Sequence, residues 1–184
     1  MTLLLRAVAV LGLVSAATVG ASPTATAEPA DPGSWPVAQG DFTTPADPGW
    51  IFFRPMGFEG GGCGIGPDGT VGCDIVPGRW PDGTPVQAGE PGPPGFYSCG
   101  GRDCPLPPPG TNQTVAGPGE PATYVQSDAQ TFTRDVDVLA QGYRVLNGAA
   151  WCAVGFQGSV SCSTGDNGFT LTAVGGTLQL PAQP

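Results

Sequence analysis

The chain has 184 residues, 31 of them Gly and 22 Pro, with 15 acids, six bases and a net charge of −9. Histidine is absent and all six bases are arginine, which excludes Ser-His-Asp and Cys-His machinery, histidine-ligated zinc, P-loop lysines and lysine Schiff bases. The acidic balance opposes nucleic-acid binding, which calls for a basic patch, and the Gly and Pro content is near the level at which disorder is suspected.

Residues 1–27 read as a secretory signal peptide. Arg6 supplies the early positive charge, Ala7 to Val19 is an uncharged, largely apolar run, and Ala25-Thr26-Ala27 is a small-x-small cleavage site before Glu28. The run is shorter than the roughly 20 residues of a spanning helix, and no later stretch is apolar enough to cross a bilayer. The expectation is therefore a secreted protein whose mature chain, 28–184, has no membrane span and forms one domain.

Residues 28–49 read as a Pro-rich flexible arm. The single β domain expected over 50–184 opens with a strand at Trp50-Ile51-Phe52-Phe53-Arg54, ended by Pro55. Residues 76–121 are dense in punctuation and read as an irregular excursion. Thr123 to Val125 and Thr131 to Thr133 are short β-like runs, and Asp135 to Gln141 fits a short helix or a strand. Tyr143 to Leu146 leads into Asn147-Gly148, a strong hairpin signal. Strands are expected at Ala149 to Gly155, Ser159 to Ser163, Gly168 to Val174 and Thr177 to Leu180. No window sustains a 3.6-residue period. The fold class expected is mainly β: a small disulfide-stapled antiparallel sheet or barrel-like domain with a long Pro/Gly-rich loop.

Six cysteines, Cys63, Cys73, Cys99, Cys104, Cys152 and Cys162, are an even count in an exported chain and read as disulfides. Segment 63–73 repeats in 152–162: Cys, small, β-branched, Gly, two loop residues, Gly, Thr or Ser, Val, small, Cys. Each unit reads as a hairpin with a three-residue loop, Pro67-Asp68-Gly69 in one and Phe156-Gln157-Gly158 in the other. That register opposes Ile65 to Val71 and Val154 to Val160, and it brings Cys63 opposite Cys73 and Cys152 opposite Cys162. The pairings expected are Cys63–Cys73, Cys152–Cys162 and, by elimination, Cys99–Cys104. The other face of the first hairpin holds Gly62, Gly64, Gly66 and Gly72. It is bare enough for a ring to settle on it, with Trp50, Phe52, Phe53 and Phe58 as candidates. The matching face of the second, with Trp151, Ala153, Ser159 and Ser161, reads as half solvated.

The order Phe53-Arg54-Pro55, Cys63, Gly69 to Ile75 and Trp80-Pro81, followed by Val138 to Gly142, Cys152, Gly158 to Cys162 and Asn167-Gly168-Phe169, resembles a family of small secreted actinobacterial, especially mycobacterial, proteins of unknown function. The resemblance covers about Trp50 to Val174. It implies export and association with the cell envelope, and it carries no catalytic residues. The chain departs from the pattern in having Asn167 where histidine is usual and no cysteine near Gln87.

Asp135, Asp137 and Asp166 offer oxygens of the kind calcium takes, without a calcium-loop signature. Asp166-Asn167-Gly168 reads as a turn. No metal and no cofactor are expected. Trp50, Trp80 and Trp151 are the candidate anchors for a cell-wall or protein partner. The leading reading is a non-catalytic extracellular or envelope-associated binding or structural protein. The alternative is a secreted hydrolase using acidic residues, which requires two carboxylates facing one pocket.

Overall fold

The computed structural model describes residues 31–58, 60–76, 96–99, 102–105, 107–155, 158–172 and 175–179, with backbone alone for 96–99, 102–105 and 175–179. The signal segment 1–27 and Trp80 lie outside the described residues. The strands are β1 (Ile51–Pro55), β2 (Cys63–Ile65), β3 (Val71–Cys73), β4 (Phe96–Cys99), β5 (Arg102–Pro105), β6 (Gln113–Gly117), β7 (Glu120–Val125), β8 (Val138–Leu139), β9 (Tyr143–Asn147), β10 (Ala150–Val154), β11 (Val160–Thr164), β12 (Asn167–Thr172) and β13 (Gly175–Gln179). They form a six-stranded sheet in the order β7-β6-β3-β2-β1-β8 and a five-stranded sheet in the order β13-β12-β11-β10-β9. Strands β4 and β5 make a separate hairpin. The protein is mainly β, as expected, built on two open sheets rather than a closed barrel.

The repeated cysteine units are the two hairpins at the centre. In the first, Gly66 N–H donates to Thr70 O and Asp74 N–H to Gly62 O, at 2.7 and 2.8 Å. With Cys63 opposite Cys73 in the register, the cysteines occupy a non-hydrogen-bonded position, where opposed Cα atoms approach most closely. Their Cα atoms are 4.0 Å apart and the disulfide is formed. The second hairpin repeats this. Gly155 N–H donates to Ser159 O, Cys152 opposes Cys162, and the bonded pair has Cα atoms 4.1 Å apart. The glycine that closes each turn is as read from sequence, while Phe156 and Gln157 lie outside the described residues. Gly69 has φ +86° and Gly158 φ +72°, the left-handed region that closes such loops and that glycine enters without a Cβ penalty.

Both disulfides lie in one core. Phe53, Ile65, Val71 and Leu139 from the six-stranded sheet meet Val145, Val154, Val160, Phe169 and Leu171 from the other, and most are fully buried. Each large apolar side chain so buried contributes about 1.5–3 kcal/mol.

Three stretches differ from the sequence reading. The excursion expected over 76–121 contains β4, β5, β6 and the start of β7, and β6 pairs with β3 through Val71–Ala116, Gly72–Val115 and Cys73–Thr114. Thr114 to Ala116 is a competent β run whose flanking Gly and Pro residues obscured it. Thr131 to Thr133 is not a strand, because its backbone N–H groups are taken by Asp74 (below). The hairpin after β9 turns at Gly148-Ala149, one residue later than Asn147-Gly148 implies. Asn147 instead pairs with Ala150 and donates from Nδ2 to Gly49 O and Ile65 O. Within Asp135 to Gln141 only Val138–Leu139 is a strand, β8, which lies parallel to β1.

From Asp31 on, the arm lies against the body. A single 3-10 turn covers Pro32–Ser34. Arg144 N–H donates to Pro36 O and Ala38 N–H to Arg144 O, so Val37 bridges the outer edge of β9. Arg144 Nη1 donates to Gly33 O. Further along, Phe42 O accepts from Phe52 N–H, and the Phe42 ring joins the core. These contacts fasten an extended segment without requiring it to be helical or strand-like throughout.

Candidate functional site

The bare glycine face of the first hairpin is covered by rings. A Cβ at Gly64 would lie 2.8 Å from Phe52 Cδ1, and one at Gly66 3.1 Å from Trp50 Cη2. The Phe132 ring occupies the space a Cβ would need at Gly72. Of the four expected candidates Trp50 and Phe52 take this role, while Phe53 faces the opposite, disulfide side. Phe132 was not anticipated. Trp50 and Phe52 stack with centroids 5.5 Å apart, and Phe132 tilts against Trp50 at 6.2 Å.

Asp74 holds Phe132 in place. Its carboxylate accepts from the backbone N–H groups of Thr131, Phe132 and Thr133 at 3.0, 2.8 and 2.7 Å. It also accepts from Thr133 Oγ1 and Gln113 Nε2 at 2.7 and 2.8 Å. One carboxylate thus organises a bend that has no ladder partner.

The same bend delivers Arg134. Its guanidinium lies 4.7 Å from the Phe52 ring centre, and Nε donates to Asp47 Oδ2 at 2.8 Å. The Arg134 hydrogen bond, aided by its charge, holds the Asp47 carboxyl below its ordinary pKa, and the same bond raises Arg134. A depressed carboxyl stabilises the fold fully above its unfolded pKa, near 4. That contribution is lost as pH falls through the folded value. Asp47→Asn is therefore expected to melt below wild type at neutral pH and to converge with it in acid, in melting scans from pH 6 downward. Parallel curves throughout would contradict the pairing.

On the far side of this bend lies an open cleft of about 490 Å³, lined by Arg54, Pro55, Met56, Phe58, Thr133 and Val138, with Gly57, Gly60 and Gly61 at its margin. β1 supplies Arg54 and Pro55, β8 supplies Val138, and the Asp74-held bend supplies Thr133. Met56 and Val138 are 43% and 46% exposed, which is high for apolar side chains in a concave site. Arg54 Nε donates to Val136 O at 2.8 Å. Its terminal nitrogens have no acidic partner among the described residues, whereas Arg134 is paired and Arg144 serves the arm.

Several of the described acids have structural partners. Asp31 accepts from Gly33 N–H, Asp68 from Thr70 N–H and Oγ1–H, and Asp137 from Asp41 N–H. The Thr70 backbone bond, with the Thr70 hydroxyl, lowers the Asp68 pKa. The described lining of the cleft contains no carboxylate. Among the described residues no three His, Cys, Asp or Glu side chains are placed to hold a metal.

The expected anchors are distributed differently from the cleft. Trp50 is half-buried in the ring stack. Trp151 is half-buried beneath the arm, where a Cβ at Gly33 would be 3.2 Å from its Cε2. In the β4–β5 hairpin the register opposes Cys99 to Arg102 and Cys104 to Tyr97; their side chains lie outside the described residues.

No family model, curated protein or solved structure matches the chain. The candidate site therefore stands on its own geometry. Sequence reading missed the cleft: Arg54 carried only a resemblance, and Met56 and Val138 are single apolar residues whose proximity depends on the parallel β1–β8 pairing.

Proposed function

We propose that the protein is exported and acts as a non-catalytic extracellular or envelope-associated binding protein, with the cleft beside Arg54 as its contact site. The observation that carries this reading is the exposure of Met56 and Val138 around a guanidinium whose terminal nitrogens lack an acidic partner among the described residues. Clefts with an apolar lining and a few placed polar groups are the usual form of binding sites. The two buried disulfides fit an oxidising compartment. Residues 1–27 supply the matching export signal, and the actinobacterial resemblance agrees with it. No helix among the described residues is long and apolar enough to cross a membrane.

The test is recovery of the full-length gene product from an actinobacterial host, with retention on cell-wall fractions compared between wild type and Met56→Asp. The expected result is a chain beginning at Glu28, retained as wild type and released by the substitution. Unprocessed intracellular protein, or equal retention of the variant, would overturn the proposal.

A further inference from the structure

We propose that the cleft captures the C-terminal end of a partner polypeptide, taking its α-carboxylate on Arg54 and an apolar last side chain on Met56, Phe58 and Val138. This rests on the binding reading above and names its ligand class. Three features converge on one small surface. The first is charge: the terminal nitrogens of Arg54 match a carboxylate, for which guanidinium offers paired donors. Arg54 is held beside the cleft by its Nε bond to Val136 O. The second is the apolar lining, with Met56 and Val138 nearly half exposed.

The third is a free strand edge. β8 is the last strand of its sheet. Arg54 N–H donates to Asp137 O and Met56 N–H to Leu139 O, at 3.2 and 3.1 Å. With Arg54 paired to Val138 in a parallel register, the carbonyls of Asp137 and Leu139 face β1, while Asp137 N–H donates to Asp41 O of the arm at 3.0 Å. Val138 then turns its N–H and C=O outward, as an edge that a short extended peptide can join. A fatty acid would use the cation and the apolar lining but has no backbone groups for this edge, so a peptide end accounts for more of the site.

The experiment is an amide-resolved NMR titration of the disulfide-intact chain 28–184 with N-acetyl-Val-Leu as the free acid, its C-terminal amide, and decanoate. The expected result is saturable shifts at Met56, Gly57 and Val138 with the free acid. Binding should be weakened at least about tenfold, or 1.4 kcal/mol, by amidation and by Arg54→Gln. Val138→Asp, which adds a like charge at the edge, should weaken it similarly while the rest of the spectrum stays native. Absence of shifts with the free acid, equal binding of the amide, or tighter binding of decanoate would overturn the proposal. If the dipeptide fails while Met56→Asp still releases the protein from cell-wall fractions, the ligand class falls and the binding reading stands. If that variant is retained like wild type, the binding reading falls as well.

Discussion

Replacing Asp74 with alanine is expected to lower the unfolding free energy by roughly 3–5 kcal/mol. Five donors converge on this carboxylate, three of them successive backbone N–H groups at Thr131, Phe132 and Thr133. Alanine leaves them without acceptors in a partly buried bend, and a stranded donor costs more than a made bond contributes. The damage extends beyond the bend. Phe132 would lose its seat on Gly72, and Arg134 its position over Phe52 and against Asp47. Asp74→Asn keeps one acceptor oxygen and should show a smaller loss. Urea unfolding gives the magnitude, and tryptophan emission reports the second consequence, because Trp50 lies against Phe132. A loss below about 1 kcal/mol, within the range of ordinary surface substitutions and single weak bonds, would show that Asp74 does not organise the bend.

The second large effect is expected from removing a staple. Cys152→Ala with Cys162→Ala should cost about 3 kcal/mol, the loop-closure value for so short a ring, at a sequence separation of 10. Cys63→Ala with Cys73→Ala closes the same length and should cost a similar amount. The four-alanine protein should not show the sum, because both bridges sit in one contiguous core and the second loss acts on packing the first has already loosened. Equilibrium unfolding of the three variants measures this directly. Near-zero cost for either single staple would mean that the hairpin is already closed by its ladder and turn.

What the sequence revealed follows the range of the forces involved. The cysteine hairpins are local: a Gly at the left-handed position and a two-residue alternation set the register within 11 residues, so Cys63–Cys73 and Cys152–Cys162 follow from spacing. The glycine face was legible as a vacancy, but its main occupant was not. Phe132 reaches Gly72 only because Asp74 binds a bend 57 to 59 residues away, and nothing near Cys73 signals that. β6 was hidden because Thr114 to Ala116 is framed by Pro and Gly residues that look like loop. The arm was read from its prolines, whereas its placement comes from Arg144, more than 100 residues later, bonding to its backbone. The cleft depends on a parallel contact between β1 and a two-residue strand, a pairing that periodicity does not encode. Its only sequence trace is an arginine before a proline.

Two copies of one stapled hairpin face a shared core. Mass mapping of unreduced peptic peptides from the disulfide-intact protein tests this most directly. It predicts one bridged species joining Cys63 to Cys73 and another joining Cys152 to Cys162. A bridge from Cys63 to Cys152, or from either hairpin to Cys99 or Cys104, would contradict it.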